Sequence, residues 1–146
     1  MRKCVTRIAV AATFAALASS GAFAGTLTIS EGWFRALPAG LPAGGYFKLH
    51  NAGAKTAVLT GAASPACGAV VLHMSMHGSG MDQMMAVDSV AVGPGQTFVF
   101  APGGYHLMCM DPKPAMKPGA TIAVTLRFKD GSAVAAGFAV KGASGH

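Results

Sequence analysis

His73, Met84, His106 and Met108 lie within thirty-six positions of one another and bring two imidazoles and two thioethers to one stretch of chain. All four are neutral donors, and the thioethers are soft. Thioether sulfur is a poor ligand for Mg²⁺, Ca²⁺ or Zn²⁺ and a good one for Cu(I). The set therefore points to a cuprous pocket, provided the elements that carry it converge. Methionine usage points the same way. Eight of the nine methionines follow residue 24, and seven of those fall between Met74 and Met110. An adaptable gap filler used only for packing would be scattered. Thiolate ligands are open to disulfide formation in an oxidising compartment, which thioethers resist.

The compartment is read from the N-terminus. Arg2, Lys3 and Arg7 surround the start of an apolar run from Ile8 to Ala18, and Ala22-Phe23-Ala24 has the small-x-small pattern of a signal-peptidase site. Residues 1–24 thus read as a signal peptide, and residues 25–146 as a single β-domain of an exported, periplasmic protein. The apolar run falls short of the about 20 residues that span a bilayer. Cys4 precedes that run, so it is not placed for lipidation and is expected to leave with the signal. Eight Lys and Arg then remain against five acids, a net charge of +3 where the whole chain has +6. These charges form no basic cluster, which argues against nucleic acid as a partner. Five scattered acids offer no paired carboxylates, and no Ser-His-Asp arrangement is suggested, so the expectation is a protein that is not an enzyme.

The elements that must position the four residues are short β-rich runs broken by Gly and Pro. Seven to nine strands are expected, over Thr26–Ala36, Tyr46–His50, Lys55–Ala62, Val70–Met76, Met81–Val87, Thr97–Ala101, Tyr105–Met110, Thr121–Lys129 and Ser132–Lys141, with Val90–Val92 read as extending or continuing the Met81–Val87 run. Asp130-Gly131 reads as a two-residue hairpin turn. The fold class is all-β, an antiparallel sandwich or squat barrel. If the Val70–Met76 and Met81–Val87 hairpin is symmetric about Gly78-Ser79, His73 faces Met84 across the strands, with Cβ atoms about 4.5–5.5 Å apart. A slip of one residue would bring Met85 round in place of Met84. His106 and Met108 are two apart on one strand and share a face.

By alternation, Met74, Met76 and Met85 face away from the four residues and are expected in the core. Met110 shares the face of His106 and Met108, and Met81 lies near the turn; either is a candidate transient ligand. His77 reads as a solvated turn residue and His50 as surface. Cys67 and Cys109 are the two cysteines of the exported part, and their even number favours a disulfide. A reactive thiol at Cys109 is the alternative.

Histidine, ten residues, methionine, twenty-one residues and then His-x-Met is the spacing here: His73, Met84, His106-Leu107-Met108. It resembles the signature of the PCuAC family of periplasmic copper chaperones. Leu72-His-Met-Ser-Met76 and Ala101-Pro-Gly-Gly-Tyr-His-Leu-Met108 are also similar to that family, and the likeness runs from about Trp33 to Val140. The resemblance implies a cupredoxin-like β-sandwich or barrel of Greek-key type that binds one Cu(I) near its surface through His73, Met84, His106 and Met108. It further implies delivery of copper to the Cu(A) centre of cytochrome c oxidase, with a Sco-type protein as a further partner; the chain itself is expected to be a monomer. Some members carry a His- and Met-rich C-terminal extension for a cupric ion. This chain ends at Gly145-His146 without such residues, so a second, cupric site is not expected. Two rival readings are copper sequestration of the CopC-like kind and an exported structural β-domain whose methionines merely pack.

Overall fold

The computed structural model describes residues 26–78 and 81–146, and of Gly78, Met81 and Asp82 the backbone alone. The expected signal peptide, Cys4, the Met81 side chain and the Ser79-Gly80 turn lie outside the described residues. Ten strands follow in order: β1 (Leu27–Arg35), β2 (Ala43–Asn51), β3 (Ala57–Ala63), β4 (Cys67–Gly78), β5 (Met81–Ala86), β6 (Val90–Val92), β7 (Thr97–Phe100), β8 (Tyr105–Pro112), β9 (Thr121–Phe128) and β10 (Ala133–Lys141). Between β1 and β2 lies a short 3-10 turn, Pro38–Gly40.

Alternation sets which residues point inward. In β9, Ile122, Val124, Leu126 and Phe128 are buried, with polar or small residues between them. Phe34, Phe47, Phe100 and Phe138 fill the centre, with Phe47 stacked on Phe100 at 4.2 Å between ring centroids and 5.5 Å from Phe138. Offset and tilted ring pairs of this kind add about 0.5–1.5 kcal/mol beyond their buried area.

The strand order is β5-β4-β8-β2-β1-β10-β9-β3-β6, and a further pairing of β4 with β3 closes seven of these strands into a barrel. Strand β8 inserts between β4 and β2, and β10 between β1 and β9. These are long crossovers of the Greek-key kind, so the cupredoxin-like architecture expected from the sequence is what the chain adopts. It is not wholly antiparallel, because β1 pairs with β10 in parallel through Trp33↔Ala139 to Arg35↔Lys141. A bulge in β1, with Glu31 at φ 53, shifts the register between Ser30 and Trp33 and sets Trp33 opposite Tyr46. Bulges commonly re-aim a side chain in this way.

Three expectations need correction. The β9–β10 connection has three residues, not two: Phe128 N–H donates to Ser132 O at 3.0 Å, and only Gly131 of the loop has positive φ. Lys129-Asp130-Gly131 thus forms the loop with a glycine in the left-handed position, while Asp130 stays at negative φ and accepts from Ser132 N–H at 2.9 Å. In the β4–β5 hairpin, Gly78 pairs with Met81, Ser75 with Met84 and His73 with Ala86, so His73 does not face Met84 directly. The register is displaced by two residues from the expected one. A two-residue displacement leaves every side chain on its original face, so Met84 stays on the His73 side as a diagonal neighbour and Met85 does not replace it. Alternation is blind to such a shift. Finally, Met76 and Met85 point away from His73 but are exposed, with Met74 half-buried. Strand β5 ends the strand order and pairs with β4 alone among the described strands, so no further strand flanks its outer edge.

Cys67 and Cys109 are joined by a disulfide, with Cα atoms 5.4 Å apart, and both are buried. The bridge ties β4 to β8. With a sequence separation of 42, it should contribute about 3–4 kcal/mol in the loop-entropy model. The Cys67→Ser/Cys109→Ser double variant is expected to unfold at clearly lower urea than the parent. An unchanged urea midpoint would show that the bridge adds nothing to stability.

Candidate metal centre

The site starts from the pairing of β4 with β8. Its register places His73 opposite His106 and Val71 opposite Met108. Directly opposed side chains share a face, so His73, His106 and Met108 lie on one side of the sheet, and the β4–β5 register adds Met84 to that side. All four residues singled out in the sequence therefore share one face across three adjacent strands.

The two imidazoles are in contact. Their ring centroids lie 5.7 Å apart, with the rings nearly perpendicular at 73°. Metal–imidazole bonds run to about 2.0–2.1 Å, so one ion can bridge rings at this separation if each presents a nitrogen to the gap. His106 is almost wholly buried, with 3% of its surface exposed. Its Nδ1 lies 3.0 Å from Gly104 O. A carbonyl can only accept, so Nδ1 carries the proton and Nε2 holds a lone pair. That Nε2 is buried and has no hydrogen-bond partner, and the same is true of His73 Nδ1. Buried polar atoms are nearly always satisfied, so two orphaned imidazole nitrogens on one face fit an arrangement suited to an ion. A backbone carbonyl orienting the far nitrogen is also how ligand histidines are usually held.

An open cleft of about 320 Å³ lies over this face, and His106, Met108 and Met84 contribute to its walls. His73 adjoins it through the His106 ring. Met84 is 61% exposed and stands at the outer edge, whereas Met108 is half-buried. Gly44 pairs with Met108 from the β2 side, and a Cβ there would come within 2.5 Å of the Tyr46 hydroxyl. Glycine at this position leaves Tyr46 room to lie along the cleft wall. Among the described residues no three His, Cys, Asp or Glu side chains are grouped as a metal-binding cluster. The donor set on this face is instead imidazole and thioether, which is the chemistry of a soft monovalent ion.

Some wall residues were not legible as such. His77 is not a turn residue. It lies in β4 on the His73 face, with Nε2 3.2 Å from Gly103 O, and helps to line the cleft. Tyr46 packs 6.3 Å from the His106 ring and 4.7 Å from Trp33. The Arg35 guanidinium sits 5.6 Å over Trp33 and 5.7 Å over Tyr46, and Lys141 sits 5.0 Å over Trp33. One side of the cleft is thus an aromatic wall bearing cations. The alternation of Trp33 and Arg35 in β1 hinted at a shared face, but only the bulge at Glu31 brings Tyr46 between them and His106. His50 bonds Thr97 Oγ1 at 2.8 Å through Nδ1, and β7 pairs with β2 there, away from the cleft.

Solved structures with this architecture are PCuAC domains. The copper-bound PCuAC domain from PmoF2 has a TM-score of 0.68 at 24% identity, over 82% of this chain and 95% of that one. The solution structure of CuI-DR1885 from Deinococcus radiodurans has a TM-score of 0.64 at 26% identity, over 86% and 85% of the two chains. The fold is therefore that of the PCuAC-type cupredoxin-like domains. A family model described as "Putative lipoprotein LpqE-like" matches residues 27–140, and the chain belongs to this LpqE-like, PCuAC-type family. "Putative lipoprotein Lxx21020" of Leifsonia xyli subsp. xyli (strain CTCB07) is 36% identical over 118 residues, 80% of this chain and 70% of that protein. Protein RP573 of Rickettsia prowazekii (strain Madrid E) is 31% identical over 86 residues, of which this chain spans 48% of the relative's length.

Burial, and secondarily the neighbouring His106, hold the His73 ring below its ordinary pKa of 6.5. A histidine so depressed binds fewer protons folded than unfolded, so it withdraws stability as pH falls from about 6.5 through the folded value. At neutral pH it remains uncharged and able to donate a lone pair. In an NMR titration of the metal-free protein, the His73 ring is expected to turn over below 6.5; a midpoint above that would contradict the burial argument.

Proposed function

We propose that this chain is an exported carrier of Cu(I) and not a catalyst, with His73, Met84, His106 and Met108 as the ligands. The observation that carries the reading is the His106 ring. Its Nδ1–H is committed to Gly104 O, while its buried Nε2 lone pair has no partner and stands beside the cleft that Met108 and Met84 wall. Four neutral donors leave the ion with its single charge and require no ligand deprotonation. The related structures, a copper-bound PmoF2 domain and the Cu(I) form of DR1885, support copper as the cargo.

A carrier must also release its cargo. Met84 sits on the edge strand and is the most exposed of the four, so an incoming ligand meets it first. Displacement of Met84, then Met108, would pass the ion on with the imidazoles leaving last. The acceptor in this reading is the Cu(A) centre of cytochrome c oxidase, the destination that the PCuAC resemblance implies, with a Sco-type protein as a further partner. Export is supported by the basic-then-apolar N-terminus, by the buried disulfide, and by the lipoprotein names of the relatives.

The ligand set is tested by cuprous titration against a chelating competitor. One equivalent should bind, with X-ray absorption counting two nitrogen and two sulfur neighbours. His106→Ala and Met108→Ala should each weaken binding at least about tenfold, equivalent to about 1.4 kcal/mol. Unchanged affinity in either variant would remove that residue from the set. The destination is tested separately. Deleting the gene should lower Cu(A) occupancy, and full oxidase assembly combined with lost copper tolerance would reassign the carrier to sequestration.

A further inference from the structure

The hairpin that supplies Met84 to the cleft has a second methionine set on its reverse side. Met74 and Met85 are direct cross-strand partners, and Met76 follows Met74 two residues along β4. All three therefore project from the face opposite His73. Direct partners have Cβ atoms about 4.5–5.5 Å apart, and diagonal neighbours lie about 7–8 Å apart at most. Thioether side chains are long and have three rotatable bonds, so three sulfurs rooted at these positions can turn toward a common point. Met76 and Met85 are 45% and 49% exposed. They are not serving as core, although the alternation that places them opposite the cleft would have put them there in a covered sheet. Tyr105 of β8, paired with Met74, shares the reverse face.

From this placement we propose a second cuprous site made of the thioethers of Met74, Met76 and Met85, on the reverse face of the β4–β5 hairpin. Three soft, uncharged donors select Cu(I) over divalent oxygen-seeking ions for the same reason as in the cleft. Lacking imidazole, and lying at the exposed end of an edge hairpin, the site is weaker than the first and fills second. Met84 and Met85 are consecutive and point to opposite faces of β5. The strand's free edge thus separates the two sites by one residue, and the reverse face is a loading or hand-off station for the cleft. The proposal rests on the carrier reading for the choice of ion and for the cleft that it feeds; its residues are distinct from the four ligands.

The test uses the oxidised full-length exported protein with ¹³C-labelled methionine methyls, titrated with Cu(I) alone. The first equivalent should shift Met84, Met108 and the His106 ring. The second should shift Met74, Met76 and Met85 and add a sulfur-only shell to the absorption spectrum. Replacing these three together with Leu, which keeps their bulk, should weaken the second equivalent at least about tenfold and leave the first within about twofold. No second equivalent, or a second equivalent that leaves the three methyls unmoved or survives the Leu variant, overturns the proposal. Failure of the cleft reading shows separately, as a first equivalent that does not perturb His106 and Met108.

Discussion

The pairing of β4 with β8 puts His73 opposite His106, and the Cys67–Cys109 bridge ties the same two strands toward their other end. Backbone register and covalent link act on the same degree of freedom, the sliding of one strand along the other. A slip of one residue would turn His106 into the core and send Leu107 to the cleft. Leu107 is fully buried, so that slip would expose a core side chain and bury an imidazole among apolar ones. The core thus holds the two histidines in opposition before any ion arrives.

That preorganisation has a cost. His106 Nε2 and His73 Nδ1 are buried without partners, and an unmet buried polar atom costs about 1–3 kcal/mol. The depressed pKa of His73 has the same origin, since a protonated ring would be charged where water is scarce. An ion that accepts both lone pairs offsets these costs, which couples metal binding to the stability of this edge of the barrel. The gradient of exposure across the donors, from buried His106 through half-buried Met108 to open Met84, gives the site a fixed inner half and an adjustable outer half. A carrier needs both, retention from the first and exchange from the second.

The hairpin of β4 and β5 is where barrel and function part company. Seven strands close on an apolar core with four phenylalanines at its centre, while β5 pairs with β4 at the end of the strand order. Outside the barrel a strand has two solvent-facing sides, so residues that would otherwise be core and surface are both surface. The methionines of this segment are accordingly exposed on both of its faces, Met84 on one and Met76 and Met85 on the other. Tyr46 and Arg35 line the cleft beside His106, with Trp33 packed against both.

Much of this was legible in the chain. Strand positions followed from alternation and from Gly and Pro breaks. Residue type alone singled out His73, Met84, His106 and Met108 as neutral, partly soft candidate donors. The shared face of His106 and Met108 is a consequence of the two-residue period alone. The disulfide followed from cysteine parity, and with only Cys67 and Cys109 to pair, the two strands it joins followed as well. What local pattern could not decide was any quantity invariant to a two-residue shift or dependent on a distant strand. The hairpin register belongs to the first kind, because Ser75 or His73 opposite Met84 leaves identical faces. The fate of Met76 and Met85 belongs to the second, since alternation tells which side a residue takes but not whether another layer covers that side. Residue types and their period determine donor chemistry and facing; the closing of the barrel, which leaves β5 outside it, decides what is buried and which donors can reach one ion.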